Sequence, residues 1–153
     1  MEVILARADH LEEVAKLCNQ YRIFYQQPSD TEAARQFLKQ RFERQDSTLL
    51  LAREDDQTVG FTQLYPSFSS ISMQRIWILN DLFVAESHRG QGVSKLLMGR
   101  AEKYAQETDA ETDAVQIILT TQISNAAAQA LYESLGYIKD EVFYHYTLRI
   151  GKL

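Results

Sequence analysis

The hydrophobic positions in the first third of the chain fall into one short apolar run and two stretches with helical spacing. The run at residues 3–7 predicts a strand. Residues 11–25 carry apolar side chains three or four positions apart, which predicts a helix that ends before Pro28. A second helix is predicted to follow, with Ser29 or Asp30 as its N-cap. The chain is therefore expected to begin with a strand and two consecutive helices.

The middle of the chain is dominated by β-favouring residues. Residues 47–53 and 58–65 predict the two strands of a hairpin, because a polar turn separates them. Residues 66–70 are rich in serine and include a proline, which predicts a loop. Residues 73–84 are dense in isoleucine, leucine, tryptophan, phenylalanine and valine, so this segment is predicted to be a central strand of the sheet.

Helices and strands alternate in the last part of the chain. A turn with two glycines precedes apolar positions at helical spacing, which predict a helix. Residues 114–121 predict a buried strand. The next helix is predicted to begin at Ser124 or Asn125 and to stop at Gly136. Residues 142–150 predict a final strand.

The predicted order of elements is β-α-α-β-β-β-α-β-α-β, with one further short strand near Tyr137. The strand–helix–strand passages imply parallel pairing, and the hairpins imply antiparallel pairing. We therefore expect an α/β fold with a central mixed sheet flanked by helices on both faces. Residues 1–153 are expected to form a single domain.

Composition narrows the range of partners. The formal net charge of −5 disfavours nucleic acid and favours cationic partners. Cys18 is the only cysteine, and its place on the apolar side of the first predicted helix indicates a small core residue, consistent with the reducing cytoplasm. Glu2 and Arg7 interrupt the few apolar residues at the start, so neither a signal peptide nor a membrane span is predicted there. No metal is predicted.

The glycine turn stands between the long predicted strand and the following helix, and it contains Arg89, Gly90 and Gly92. Unpaired N–H groups at a helix N-terminus bind anions with help from the helix dipole, and glycine lets the backbone approach an anion closely. A phosphate is the natural ligand of such a turn. The spacing does not match a P-loop, and Lys95 stands where the dinucleotide fingerprint requires a third glycine.

A second motif lies downstream, at the predicted start of the last helix. It consists of Asn125, Ala128, Leu131, Tyr132, Gly136 and Tyr137. With the glycine turn and this motif, the chain resembles the GCN5-related N-acetyltransferase (GNAT) superfamily. The family's phosphate motif, Q/R-x-x-G-x-G/A, is matched by Arg89, Gly90, Gln91, Gly92, Val93 and Ser94, except that Ser94 replaces the final glycine or alanine. The family's later motif is roughly N-x-x-A-x-x-L-Y-x-x-x-G-F/Y, which the six residues match. The order of predicted elements also matches the family fold over nearly the whole chain.

The resemblance implies acetyl-CoA as the acetyl donor and an amine as the acceptor. In this family the strand before the glycine turn carries a bulge and separates from its parallel neighbour, and the pantetheine arm lies in the gap. A nearby backbone N–H would polarise the thioester carbonyl. The residues that would bind the coenzyme in this chain are Leu82, Phe83, Val84, Arg89, Gly90, Gln91, Gly92, Val93, Ser94, Lys95 and Asn125.

Acetyl transfer needs a group that accepts a proton from the amine and a group that protonates the departing thiolate. Asp81, near the implied bulge, is the predicted base, and Glu86 is the alternative. A carboxylate bonded to bulge backbone explains Asp81 equally well. Tyr132 matches the position of the family's acid, whereas its other explanation is a core aromatic residue.

Aromatic residues near the end of the first predicted helix indicate an acceptor pocket. Tyr21, Phe24 and Tyr25, together with Glu86, are predicted to line it, because aromatic faces and carboxylates suit an ammonium group. Core packing explains the three rings nearly as well. Arg22 and its aromatic neighbours further resemble the branch of the family that contains histone and polyamine acetyltransferases.

We therefore expect an N-acetyltransferase that acts on a small cationic amine, such as a polyamine or a lysine-like molecule, by direct attack in a ternary complex. The alternatives are a protein or peptide N-acetyltransferase and a non-catalytic module that binds acyl-CoA. The apolar final strand at residues 142–150 is expected to pair across a homodimer interface, as in relatives of that branch.

Overall fold

The computed structural model of the chain describes residues 1–107 and 116–152. Its contacts divide the chain into two units, Met1–Thr120 and Thr121–Leu153. The first unit contains a β-sheet with helices on both of its faces, and the second contains one helix and the C-terminal segment. That both units belong to one domain stays a prediction.

The sheet has five strands in the order β1-β2-β3-β4-β5. The first four pair antiparallel with their neighbours, and β5 pairs parallel with β4. This mixed pairing confirms the predicted fold class. The strands are β1 (Glu2–Leu5), β2 (Thr48–Glu54), β3 (Gln57–Ser69), β4 (Gln74–Val84) and β5 (Gln116–Ile118).

Three helices belong to the first unit and one to the second. The helices are α1 (Leu11–Phe24), α2 (Thr31–Arg44), α3 (Val93–Glu107) and α4 (Ala126–Ser134). Helices α1 and α2 pack on one face of the sheet, in a buried cluster that includes Leu51, Phe61 and Phe83. Helix α3 packs on the opposite face, where Leu97 contacts a cluster that includes Val84. Adjacent residues Phe83 and Val84 thus belong to different cores, as strand alternation requires.

The connection between α1 and α2 is fixed by side-chain hydrogen bonds. Asp30 is the N-cap of α2, because its carboxylate accepts a hydrogen bond from the Ala33 N–H at 3.0 Å. The buried Asn19 of α1 donates to the Ser29 hydroxyl at 3.0 Å and accepts from the Asp30 N–H at 2.8 Å. These bonds set where α1 ends, and with it the position of the aromatic residues there.

Strand β3 runs through the segment that was predicted to be a loop. It continues to Ser69, and Pro66 lies opposite Trp77 of β4. The pairing of β3 with β2 ends at Leu64, so beyond that point β3 has a neighbour on one side only. Proline is tolerated in such an edge segment because it has no N–H to donate. The loop prediction was wrong because the partner strand overrides the local signal of proline and serine.

Three predicted strands in the last part of the chain differ from the structure. Residues 142–150 form no strand, and their apolar side chains are exposed, with Tyr144 at 90% and Ile150 at 94%. No strand is present near Tyr137 either. Strand β5 is shorter than the predicted 114–121, and residues 114–115 lie outside the described ranges. A strand needs a pairing partner, which residue type alone does not supply.

His10 and Trp77 are both buried. The side chain of His10 is only 5% exposed, and its Nδ1 accepts a hydrogen bond from the Arg7 N–H at 3.0 Å. Trp77 of β4 is also 5% exposed. Among the described helices, none is both long enough and apolar enough to cross a membrane.

Glu13 joins the first turn of α1 to the β2–β3 hairpin. Its Oε2 accepts hydrogen bonds from the Thr58 hydroxyl at 2.6 Å and the Thr58 N–H at 3.0 Å, and it also forms an ion pair with Arg53 at 3.2 Å. The Thr58 hydroxyl, followed by the Thr58 N–H and the charge of Arg53, holds the pKa of Glu13 below its ordinary value against the opposing effect of partial burial. The ionised carboxylate therefore stabilises the fold.

Replacing Glu13 by glutamine should lower the free energy of unfolding by about 1–2 kcal/mol at neutral pH, because the amide weakens these charge-assisted hydrogen bonds. Since the folded pKa is depressed, the stabilisation is present above the unfolded pKa and is lost as the pH falls through the folded value. Urea denaturation over a range of acidic pH should show the difference between Glu13→Gln and the parent protein shrinking.

The matched control is Glu43→Gln, because Glu43 forms an exposed ion pair with Lys39 at 3.8 Å. Such a pair contributes less than about 0.5 kcal/mol. Equal effects of the two substitutions at neutral pH would contradict the role given to Glu13.

Candidate active site

A β-bulge interrupts β4 in the middle of the sheet. Gln63 of β3 lies opposite Asp81, whereas the next residue, Leu64, lies opposite Leu79. Asn80 is therefore the extra residue on β4. An extra residue reverses the alternation of side chains beyond it. The bulge thus determines that the side chains of Asp81 and Phe83 face α1 and α2.

The parallel pairing of β4 with β5 ends just before this bulge. The last pair is Ile78 with Ile118. On the side away from β3, residues 79–84 have no strand partner in the part of the first unit that the structure describes. Unpaired strand edges offer their N–H and C=O groups to an extended ligand. Leu82, Phe83 and Val84, which were predicted to bind the coenzyme through their backbone, lie in this stretch.

The glycine turn follows β4 after a short 3-10 turn at Glu86–His88. Gly90 and Gly92 have φ values of 73° and 81°, and a Cβ atom on either would have no neighbour within 4 Å. Glycine is therefore required here by the backbone conformation and not by packing. No backbone acceptor is present for the N–H groups of residues 90–95 among the described residues, and the first such bond of α3 joins the Leu96 N–H to the Gly92 carbonyl at 3.1 Å.

Arg89 connects this turn to the end of β4. Its Nε donates a hydrogen bond to the Val84 carbonyl at 3.1 Å, and its guanidinium lies 5.3 Å from the centre of the Phe83 ring. The positive charge is thus fixed beside the turn. His88, by contrast, faces Glu54 of the β2–β3 hairpin, with its Nε2 at 3.3 Å from the carboxylate.

The remaining predicted residues of the turn differ in which of their groups a ligand could reach. The side chain of Val93, the first residue of α3, is buried against the sheet, so only its backbone N–H is available to a ligand. Ser94 is half-buried, and Gln91 and Lys95 are exposed. The amide of Gln91 donates to the Ser87 carbonyl at 3.1 Å. The turn therefore combines backbone donors with charged and polar side chains, which is an arrangement that suits a phosphate.

Asp81 belongs to a polar network on the α1/α2 face. Its Oδ2 accepts a hydrogen bond from Nε2 of Gln63 at 3.0 Å, and its Oδ1 accepts one from Nδ2 of Asn80 at 3.2 Å. The same Gln63 nitrogen lies 3.0 Å from the Tyr65 hydroxyl, and the Ser47 hydroxyl donates to the Gln63 carbonyl oxygen at 3.0 Å.

The negative charge of Asp81 affects two neighbouring acids. Burial, and then Asp81, raises the pKa of the Cys18 thiol to about 11, opposed by Arg22. Burial, and then Asp81, likewise raises the pKa of Tyr65 to about 12. Both groups are therefore neutral at physiological pH, and Cys18 is not an activated nucleophile.

The aromatic residues at the end of α1 form one connected cluster. Tyr21 contacts Tyr25 at 5.0 Å between ring centres, and Phe24 contacts Tyr25 at 5.3 Å. Tyr21 also lies 5.9 Å from Phe83 and 6.1 Å from Phe61 of the sheet. Tyr21 is thus part of the core edge on the face that carries Asp81, whereas Phe24 is 52% exposed. The packing of Tyr21 on the sheet is therefore observed, whereas a contact of this cluster with an acceptor stays a prediction.

Glu86, the alternative base, is exposed in the 3-10 turn. Its side chain makes no hydrogen bond or ion pair with any described residue. It is not part of the network around Asp81.

The predicted residues of the second unit lie on and near α4. Asn125 is the N-cap of this helix, because its Oδ1 accepts a hydrogen bond from the Ala128 N–H at 3.1 Å. Its amide nitrogen makes no hydrogen bond with any residue that the structure describes. The Tyr132 ring lies 6.0 Å from that of Tyr137, and Gly136 has a φ of 91°, which confirms the predicted left-handed helix stop.

Sequence reasoning missed Gln63, Tyr65 and Asn80. A polar residue at an inward position of an otherwise apolar strand was the available signal for Gln63, since it shares a face with Phe61. Nothing in the local sequence marks the bulge at Asn80. Across residues 1–107 and 116–152, no group of three or more His, Cys, Asp or Glu side chains is arranged to hold a metal ion.

Comparison with known proteins identifies the family. The sequence profile of the Acetyltransferase (GNAT) family matches residues 11–137. An uncharacterized N-acetyltransferase of Bacillus subtilis (strain 168), YhfO, is 43% identical over 150 residues, which are 98% of this chain and 98% of that protein. A probable acetyltransferase of Haemophilus influenzae is 29% identical over 109 residues, 71% of this chain and 75% of its own.

Solved structures agree with this assignment. A crystal structure described as a probable acetyltransferase has a TM-score of 0.91 and 43% identity, and 99% of each chain is covered. A ribosomal-protein-alanine N-acetyltransferase from Brucella melitensis biovar Abortus 2308 has a TM-score of 0.77, with 98% of this chain and 100% of that chain covered. Its 20% identity supports the fold alone. Because the family profile spans most of the chain, this protein belongs to the GNAT family and is an acetyl-CoA-dependent N-acetyltransferase.

Proposed function

We propose that this enzyme acetylates the primary amine of a small cationic molecule, such as a polyamine or a lysine-like compound. The observation that carries the proposal is the carboxylate of Asp81, which the bulge directs to the face where the aromatic cluster of Tyr21 lies. A carboxylate near aromatic rings attracts an alkylammonium group. The net charge of −5 adds a general attraction for cations.

The first unit supplies the groups that we propose to bind acetyl-CoA. The unpaired edge at Leu82, Phe83 and Val84 would pair with the pantetheine arm, and the N–H groups of residues 90–95 would bind the pyrophosphate. The open space beside Gly90 and Gly92 supports this fit, because a Cβ atom built on either glycine would meet no other described residue within 4 Å. Arg89, Gln91, Ser94 and Lys95 would add side-chain contacts. Asn125, in the second unit, is proposed as a coenzyme contact on its position in the family motif alone.

Asp81 is the proposed base for the acceptor. The amine nitrogen must lose a proton and form a bond to the thioester carbonyl carbon, after which the carbon–sulfur bond breaks. Asp81 would take this proton through a water molecule, and a backbone N–H on the unpaired edge of β4 would stabilise the carbonyl oxygen. Its hydrogen bonds to Gln63 and Asn80 support this role over that of Glu86, which has no such partners.

Tyr132 is the proposed acid, and its position in the family motif supports this assignment. A phenol of ordinary pKa, about 10, can protonate a thiolate as the carbon–sulfur bond breaks. An alkylammonium group loses two protons in becoming an amide: one equals the proton that Tyr132 gives to the sulfur, and the other is released to solvent through Asp81, so the reaction requires no further reagent.

Three finer points belong to the same proposal. The aromatic sequence around Arg22 supports the histone and polyamine acetyltransferase branch, and the single cysteine fits the cytoplasm.

The exposed apolar segment at residues 142–150 supports a homodimer in which this segment is covered by a second copy. Analytical ultracentrifugation of the full chain measures the oligomeric state, and a monomer at micromolar concentration would exclude the dimer.

The acceptor class can be tested by measuring CoA release with spermidine, L-lysine, an aminoglycoside and peptides that carry a free amine. We expect turnover with spermidine or L-lysine, and we expect Asp81→Asn to lower kcat/KM by about 100-fold for that acceptor. Turnover with peptides alone would replace the proposal with protein acetylation. Binding of acetyl-CoA without turnover of any amine would indicate a non-catalytic acyl-CoA module.

The phosphate site can be tested by placing a negative charge at Gly92. Gly92→Glu and Gly92→Gln introduce side chains of the same length and impose the same strain at a φ of 81°. Only the glutamate repels a pyrophosphate, so we expect its Kd for acetyl-CoA to be at least about tenfold higher than that of the glutamine variant in isothermal titration calorimetry. Equal Kd values would exclude the turn as the phosphate site.

The acid can be tested with Tyr132→Phe, which keeps the ring that contacts Tyr137. We expect kcat to fall about 100-fold while the Kd of acetyl-CoA stays within about twofold of the parent value, because only the proton donor is removed. Tyr137→Phe is the matched control, since it deletes the hydroxyl of the neighbouring ring. Full turnover by Tyr132→Phe would show that another group protonates the thiolate.

A further inference from the structure

Gln63 is a buried amide in an otherwise apolar layer. Its side chain is 2% exposed, and the preceding inward-facing residue of β3, Phe61, is fully buried. A buried amide without partners destabilises a protein, so its hydrogen bonds are expected to be specific. We therefore expect that the hydrogen bonds of its amide explain why glutamine occupies this position.

The polar atoms of Gln63 are oriented by three neighbours. Its Nε2 donates to Asp81 Oδ2 at 3.0 Å and lies 3.0 Å from the Tyr65 hydroxyl, and its Oε1 accepts from the Ser47 hydroxyl at 3.0 Å. The Asp81 carboxylate identifies which side of the amide carries the nitrogen, because an ionised carboxylate only accepts hydrogen bonds, whereas the Ser47 hydroxyl can donate to the amide oxygen. The N–H₂ group is thus held toward the carboxylate.

Asp81 is therefore held from two sides. Gln63 bonds one carboxylate oxygen and Asn80, the bulged residue, bonds the other. The backbone carbonyl of Asp81 also accepts a hydrogen bond from the Thr62 hydroxyl at 2.8 Å. Of the two side chains that bond the carboxylate, Gln63 is the more buried, and it is the residue directly opposite Asp81 in the sheet.

We propose that Gln63 is a positioning residue that holds the carboxylate of Asp81 toward the acceptor amine. Gln63 contacts neither substrate, and it acts through Asp81. This inference rests on the proposed function only for its catalytic consequence, since the contact between the two residues can be tested without any acceptor.

The charged and titratable groups around Asp81 come from several elements. Asp81 acts on Cys18 of α1 and on Tyr65 of β3; Arg22 of α1 also acts on Cys18, and Arg41 of α2 and Asp46 before β2 also act on Tyr65. Cys18 is suited to report on Asp81, because it is the only thiol in the chain and because the negative charge of Asp81 disfavours its thiolate. A carboxylate that moves away from Cys18 makes the thiol more reactive.

The test measures the rate at which iodoacetamide alkylates Cys18 at a fixed, mildly alkaline pH. We expect Asp81→Asn to increase this rate roughly threefold, because removal of the negative charge increases the thiolate fraction. Gln63→Met, which keeps the length of the side chain and removes its hydrogen bonds, should give an increase of similar size. Gln36→Met is the matched control, since it makes the same substitution at an exposed glutamine of α2 outside this network and should leave the rate unchanged.

A double variant separates positioning from a general loosening of the fold. If Gln63 acts through Asp81, Gln63→Met should have no further effect on the rate in the Asp81→Asn background. An increase that persists in this background, or an unchanged rate in Gln63→Met alone, would overturn the proposal. If Gln63→Met does not fold, Gln63→Leu provides the same comparison, because it also removes the hydrogen bonds of the amide without adding a charge.

The catalytic consequence is measured with spermidine and L-lysine as acceptors. We expect Gln63→Met to lower kcat about tenfold with an unchanged Kd for acetyl-CoA, and to have no further effect on turnover in the Asp81→Asn background. If neither amine is acetylated by the parent enzyme, the proposed acceptor class fails, whereas the alkylation result still decides whether Gln63 positions Asp81.

Discussion

The extra residue in β4 is the constraint on which the arrangement of the site depends. Without Asn80, Gln63 would lie opposite a different residue, and the side chain of Asp81 would point toward α3. The bulge also lies immediately beyond Ile78, where the parallel pairing with β5 ends. The bulge therefore turns the Asp81 carboxylate toward the α1/α2 face. It also lies where the edge of β4 loses its strand partner, so the backbone groups of that edge remain available to a ligand.

The same strand connects the region that we assign to the coenzyme with the region that we assign to the acceptor. Arg89 bonds the last carbonyl of β4 and stacks over Phe83, and Phe83 in turn contacts Tyr21 of α1. A continuous series of contacts thus runs from the glycine turn to the aromatic cluster. A substitution at Phe83 would therefore change the position of Arg89 at the glycine turn and the packing of Tyr21 at the same time.

Most of the fold could be predicted from periodicity, because helix and strand spacing in this sequence agrees with burial. The prediction failed where a partner decides the structure: β3 continues through Pro66 since β4 pairs with it, and residues 142–150 form no strand despite their β-favouring composition. The glycine turn was predictable because φ values such as the 81° of Gly92 demand glycine. The network of Gln63 was not, because it depends on a bulge and on residues distant in sequence.

The position of Asp81 matters more to the proposed chemistry than the strength of a carboxylate as a base. An ordinary carboxyl group titrates near 3.9 and an alkylammonium group near 10.4, so complete proton transfer between them before attack would cost about 9 kcal/mol. Release of the same proton to water at pH 7 costs only about 5 kcal/mol. A half-buried carboxylate is therefore most useful as a fixed relay that attracts the cation and passes its proton outward. Such a relay works only if its orientation is maintained, and the hydrogen bonds from Gln63 and Asn80 maintain it.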